Sequence, residues 1–434
     1  MLHSAATTQN ASGGLRRTVW LLAATLLLII VALATAAGAS ARHTQSGGWA
    51  QQQSGLGAGV SLGDVSFVDR QHGWAVGAGA SGVVAIIATS DGGATWTGQD
   101  PGTTKTLWAI DFADGDHGWV AAFDGTILAT SDGGATWTQQ ASGTTKDLYG
   151  VMFVDARHGW VAGSGGTLLA TSDGGATWTK QSAGTSDSLE GIDFLDTTHG
   201  WVAGGNGLIL VTSDGGATWS TQFSQPTGSL NSVDFIDATH GWVVGGDTIL
   251  ATSDGGATWT RRDLDGFKWP GEVRFADAGH GWMVGSNDDT TSRIMATSDG
   301  GVTWTRQDPG TSVALRACSF SDVSHGWAVG DSGVIVATAS GGETPEPSGP
   351  PKIVKIKPPS AKRSASVTIA GSSFGDTQGA STVKFGSKKV TVVTSWGDKT
   401  ITCQVPAGAK YGRVKLVVQT TASKSNGKSF KVLH

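Results

Sequence analysis

Between residues 49 and 342 short apolar runs alternate with breaks rich in Gly and Asp, and the apolar positions recur with a period of two. The stretch 148–181 shows the unit. Leu148–Asp155 alternates apolar with other residues and predicts a first strand, after which Arg157-His158-Gly159 turns the chain. Trp160–Gly163, Thr167–Thr171 and Thr177–Gln181 predict three more strands. The Asp-Gly and His-Gly pairs suit tight turns with positive φ, which Gly adopts at no steric cost. Residues 352–434 continue as short strands, at 353–356, 366–369, 382–385, 389–393, 400–405, 412–420 and 429–432. That even spacing predicts an immunoglobulin-like β-sandwich. One segment departs from the β pattern: 18–41 is an uncharged, largely apolar run after Arg16-Arg17. As a helix rising ~1.5 Å per residue, it is long enough to cross a ~30 Å hydrocarbon core.

The β unit repeats. His-Gly-Trp stands at 72–74, 117–119, 158–160, 199–201, 240–242, 280–282 and 325–327, at spacings of 40 to 45 residues. Between the triplets, Ser-Asp-Gly-Gly-(Ala/Val)-Thr-Trp recurs six times, with its aspartate at Asp91, Asp132, Asp173, Asp214, Asp254 and Asp299. A period of this length built from four short strands predicts one propeller blade per repeat, hence seven blades. Each box aspartate is expected to close its turn by accepting backbone N–H groups, and each box Trp to pack between blades. The seventh unit lacks a fourth strand, with Ser340 in the Asp place and Pro345 in the Trp place. Trp49–Gly55 matches Trp137–Gly143, so residues 49–53 are expected to complete that blade and close the ring.

These motifs resemble the Asp-box (bacterial neuraminidase, BNR) repeat. The longer pattern F-x-D-x-x-H-G-W-x-x-G…T-S-D-G-G-x-T-W is similar to the photosystem II assembly-factor-like propellers. In the C-terminal part, Val367–Gly375, Val383–Gly386, Ser395-Trp396 and Ser425–Gly427 resemble the IPT/TIG domain. The resemblance implies an all-β chain: a seven-bladed Asp-box propeller at 49–342, a Pro-rich linker at 343–351 and an immunoglobulin-like domain at 352–434. It implies no single activity, because such repeats serve sialidases, other glycosidases and non-enzymatic receptors alike.

Charge and the N-terminus then locate the chain. The segment 1–17 reads as a cytoplasmic n-region and 18–41 as a signal peptide or a transmembrane anchor; either puts the remainder outside the cytoplasm, membrane-anchored at the cell surface or secreted. Residues 43–350 carry 12 Lys+Arg against 33 Asp+Glu, whereas 351–434 carry 15 against 2. The basic module suggests anionic envelope polymer or lipid headgroups as a partner, beside the bland alternative of a solvated lysine surface. No nucleic-acid partner, cofactor or metal is expected. The seven histidines occupy equivalent turns in separate blades, too far apart to share an ion. Cys318 and Cys403 lie on apolar strand patterns and read as buried free thiols.

A site emerges from what varies. The distance from box Asp to the next His is constant at 26 residues, while that from the His-Gly-Trp tryptophan to its box Asp runs from 12 to 17. Length therefore changes only in the loops joining second to third strands, on the face opposite the boxes. The residue opening each inner strand varies there too, including Trp108, Tyr149, Glu190, Asn231 and Arg316, and Trp269 sits in a neighbouring polar loop. Aromatic rings with a few polar partners suit a ligand. The expected function is non-enzymatic binding or scaffolding in the cell envelope, with a glycan or a protein or peptide ligand at this mouth. A glycan-acting hydrolase built around Tyr149 and Glu190 is one alternative, and an assembly factor for a membrane protein complex is another.

Overall fold

The computed structural model describes residues 48–57, 59–224, 228–262, 266–287, 292–342, 351–374, 381–397, 399–420 and 424–434. The expected helix at 18–41 and nearly all of the expected linker lie outside these residues. The described part is almost entirely β, with seven four-stranded antiparallel sheets at 48–342. Blades one to seven are numbered by their inner strands: Val60–Phe67, Leu107–Phe112, Leu148–Phe153, Leu189–Phe194, Ser232–Phe235, Trp269–Phe275 and Leu315–Phe320. Blade three continues through Gly159–Gly163, Thr167–Thr171 and Thr179–Ser182, within two residues of the strands expected from the sequence.

Blade seven takes its outer strand from the other end of the chain. Gly48–Gln52 pairs antiparallel with Ile335–Gly342, so closure by the N-terminal strand is borne out. Trp49 fills the place of the missing box Trp: it is 3% exposed, donates its indole N–H to Gln307 Oε1 at 2.8 Å and meets Phe320 edge-on.

The seams between blades explain the repeated residues. The last residue of each inner strand is Phe, stacked on the His-Gly-Trp tryptophan of the preceding blade with ring centroids 3.4–3.9 Å apart. The box Trp of the same blade meets that Phe edge-on, as at Phe153–Trp178. The Gly after each His serves this packing. A Cβ on Gly73 or Gly159 would lie 2.4 Å from the Phe ring, and neither residue has positive φ. The expectation of positive φ at the His-Gly turns is thus corrected, while it holds for the box glycines, such as Gly92 at 71° and Gly93 at 85°.

Each box aspartate closes its turn as expected. Asp173 accepts the Thr177 N–H and hydroxyl and the Thr171 hydroxyl, and the hydroxyl bond from Thr177 leads in holding its carboxyl down to about 2. The histidine turns are likewise internal, for example His158 Nδ1 with Asp155 at 2.9 Å.

A hydrogen-bonded belt joins the outer strands of successive blades. The indole N–H groups of Trp49, Trp96, Trp137, Trp178 and Trp219 donate to Gln307, Gln52, Gln99, Gln140 and Gln181 respectively, at 2.8–3.2 Å. The amide N–H of the same glutamines donates to a box glycine carbonyl, as Gln140 does to Gly174. The belt fails at both seams of blade five. Arg262 occupies the Gln place, and both its Nε and the Trp304 indole N–H are buried without a partner among the described residues. At the other seam Trp259 Nε1 and Gln222 Oε1 are unpaired among the described residues, beside a register shift in the strand Ser220–Ser224.

The C-terminal residues form a β-sandwich of a four-stranded and a five-stranded sheet around Phe374, Phe385, Phe430, Ile369 and Ile401. Cys403 is buried in this core and Cys318 in the propeller, both as free thiols. On the outer face of the five-stranded sheet Lys384 lies directly opposite Lys389, and Arg413 opposite Lys431. Like charges so placed repel.

Candidate functional site

A single structural device builds the mouth of the propeller. In six blades the pairing of inner with second strand shifts register just after the strand begins: between Leu62/Asp64, Leu107/Ala109, Leu148/Gly150, Leu189/Gly191, Pro270/Glu272 and Leu315/Ala317. The skipped residues are Gly63, Trp108, Tyr149, Glu190, Gly271 and Arg316, the positions whose identity varies. A bulged residue leaves the ladder and is re-aimed. The varied side chains are thereby freed from blade packing and turned to the mouth.

All six expected residues line one open funnel of about 840 Å³: Trp108, Tyr149, Glu190, Asn231, Trp269 and Arg316. They do not act alike. Trp108 is 41% exposed and Trp269 50% exposed, large apolar rings facing solvent. Trp108 packs against Tyr149 at 5.6 Å and against Phe123 at 5.5 Å, so Phe123 extends the aromatic wall. Trp269 opens the inner strand of blade six, paired with Ser286, rather than sitting in a loop. Asn231 donates its amide to the Pro270 carbonyl at 3.2 Å. Arg316 is held by Asp331, Nε to Oδ1 at 2.6 Å. Burial raises the Glu190 carboxyl, against a hydrogen bond from Ser188. Burial also raises the Tyr149 phenol, with Asp147 and Glu190 adding to it.

Below the mouth lies a ring that the sequence reading missed. An inner strand is the free edge of its blade, and its N–H groups face the channel without ladder partners. Side chains of the preceding blade accept them: Asp64 from Ile110, Asp111 from Phe153, Asp193 from Phe235, Asp234 from Phe275 and Glu272 from Cys318, at 2.7–2.8 Å. Ser319 and Ser66 do the same for Phe67 and Phe112. Arg274 joins the ring with Nη2 at 2.7 Å from Glu272 and Nη1 at 3.5 Å from Asp234. Burial lifts Asp111 to about 6, and Asp193 and Glu272 to about 7, Asp234 reinforcing the shift at Asp193. Burial opposes the charge on Arg274, yet Glu272 and Asp234 outweigh it and keep the guanidinium ionised. The available signal was the Asp-Phe pair at 111–112, 193–194 and 234–235.

The model for "Photosynthesis system II assembly factor YCF48" matches residues 41–138, 136–222 and 267–346, and the IPT/TIG domain model matches 351–432. Among solved structures, YCF48 from Cyanidioschyzon merolae is similar at 22% identity and a TM-score of 0.54, covering 67% of this chain and 98% of its own. A structure described as YCF48 bound to D1 peptide is similar at 18% identity and a TM-score of 0.56, covering 67% of this chain and 97% of its own. A search of curated proteins returns no match. At these identities the structures establish the fold alone, but the repeats matched by the first model span more than half of the sequence: the chain belongs to the YCF48 family of photosystem II assembly factor-like propellers, here followed by an IPT/TIG domain.

Proposed function

We propose that the propeller is a non-catalytic binding module that holds an extended peptide segment of a partner protein across its funnel, as an assembly factor does. The observation that carries this reading is the mouth of the propeller, where exposed Trp108, on a bulge, and exposed Trp269, on the ladder next to one, stand beside hydrogen-bonding groups around a cavity of about 840 Å³. A peptide offers such a surface apolar side chains next to backbone donors and acceptors. The propeller structure described as bound to D1 peptide supports the same ligand class. The apolar run 18–41 supports an extracytoplasmic setting at a membrane, where segments of membrane proteins are available as partners. A hydrolase reading of Tyr149 and Glu190 draws less support, since both funnel-lining arginines are already paired with acids and so not free to clamp a substrate carboxylate.

The test is a display library of peptides panned against the full chain and against Trp108→Ala/Tyr149→Ala. Loss of aromatic anchors typically costs ~2 kcal/mol or more, about thirtyfold in affinity. The double variant should keep its melting temperature and lose the enriched sequences. Equal enrichment on both proteins would remove the funnel as the binding site.

A further inference from the structure

The funnel walls differ sharply in charge. On the side of blades six and seven each arginine has its own acid, Arg316 with Asp331 and Arg274 with Glu272 and Asp234. On the side of blades one to four the funnel is lined by Asp64 and Glu190, neither of which has an ion-pair partner within 4.0 Å among the described residues. Asp193, deeper in the throat, is 7% exposed, accepts the Phe235 N–H through Oδ2 and lies in the field of Arg274, so it is already answered from within the protein.

The aromatic wall lies on this same side. Trp108, Tyr149 and Phe123 form one cluster, and Glu190 acts on the Tyr149 phenol from the next blade. Ring faces beside a carboxylate attract an ammonium or guanidinium twice, through the ring quadrupole and through the charge. Among the described residues no three acids or histidines converge closely enough to hold a metal ion. Glu190 thus stands at the mouth beside the rings, a single carboxylate placed to receive the cationic end of a long side chain.

We propose that the funnel selects peptides carrying a basic side chain, Lys or Arg, whose stem lies along Trp108 and Tyr149 and whose cationic head is received by Glu190 at the mouth. The inference rests on the peptide-binding reading above and specifies its ligand. A peptide with an acidic residue at the same place meets the same carboxylate as a like charge and is rejected.

The test uses the full chain and pools of fluorescent random-sequence peptides that differ only in one fixed central residue: Lys, Arg, Gln or Glu. The Lys and Arg pools should bind at least ~10-fold more tightly than the Glu pool, a ratio set by one close charge pair. Added salt should compress that ratio. Glu190→Gln should reduce it, and the melting curve of that variant reports whether the fold is intact. Pools that bind equally well, or a Glu pool that binds best, would overturn the charge preference while leaving peptide binding standing. Failure of every pool to bind would overturn both.

Discussion

Blade five offers a quantitative test of how the ring is held together. Five seams share one arrangement, an indole N–H donating to a Gln Oε1 whose amide N–H in turn donates to a box glycine carbonyl. At the seam of blades five and six the Gln place is taken by Arg262, which has no acceptor atom, and two buried donors remain, Trp304 Nε1 and Arg262 Nε. Arg262→Gln should supply the missing acceptor and donor together. Two hydrogen bonds at ~1 kcal/mol each, plus relief of an orphaned donor at ~1–3 kcal/mol, set against the lost packing of the Arg stem, give a net gain of ~2 kcal/mol. For a propeller spanning 48–342, unfolding with an entropy of ~2 cal/mol/K per residue, that is a rise in Tm of about 3 °C. Differential scanning calorimetry of the full chain reads it directly. Arg262→Ala, which removes the guanidinium without restoring the amide, serves as the control and should show no gain. A Tm for Arg262→Gln equal to wild type, or matched by Arg262→Ala, would refute the belt as a source of stability.

Trp49→Ala removes the plug of the closing blade, its edge contact with Phe320 and its bond to Gln307; a loss of ~3–5 kcal/mol is expected, and an unchanged melting curve would contradict closure through this strand. Asp193 and Glu272 are lifted by burial from 3.8 and 4.5 to about 7, so the folded chain retains protons that the unfolded chain has released. Stability from these two groups should fall as pH rises from about 4 to 7, and Asp193→Asn should flatten that slope in a Tm-versus-pH series. The box aspartates act in the opposite sense: Asp173 and Asp214, held down to about 2, withdraw their contribution as pH falls below about 4. Lys389→Glu turns the like-charge pair with Lys384 into an opposite pair and should stabilise the sandwich by ~0.5 kcal/mol, with the gain fading as salt is added.

Much of this was legible because the repeats state the same local problem seven times. The blade strands, the closing strand at Trp49 and the role of the box aspartates follow from patterns that recur in fixed register. The variable ring was legible for the converse reason, as the place where the pattern relaxes. The bulges that aim Trp108, Tyr149 and Glu190 were not, because a bulge depends on how two strands register and leaves no composition of its own. The His-Gly glycine was misread as a turn requirement, since its constraint comes from a Phe ring six residues earlier in the chain, as Phe67 is to Gly73. The acidic throat escaped notice because Asp64, Asp111, Asp193, Asp234 and Glu272 are scattered over five blades. Only closure of the ring gathers them around Arg274.

The most direct test of the binding account is a photo-crosslinking map. A peptide enriched by panning, carrying a photoreactive residue at successive positions, is bound to the full chain, irradiated and digested, and the attachment sites are read by mass spectrometry. The account predicts attachment at Trp108, Tyr149 and Trp269 and their immediate neighbours on the inner strands. Attachment concentrated instead on the Asp-box turns, on the outer strands or on residues 352–434 would contradict it.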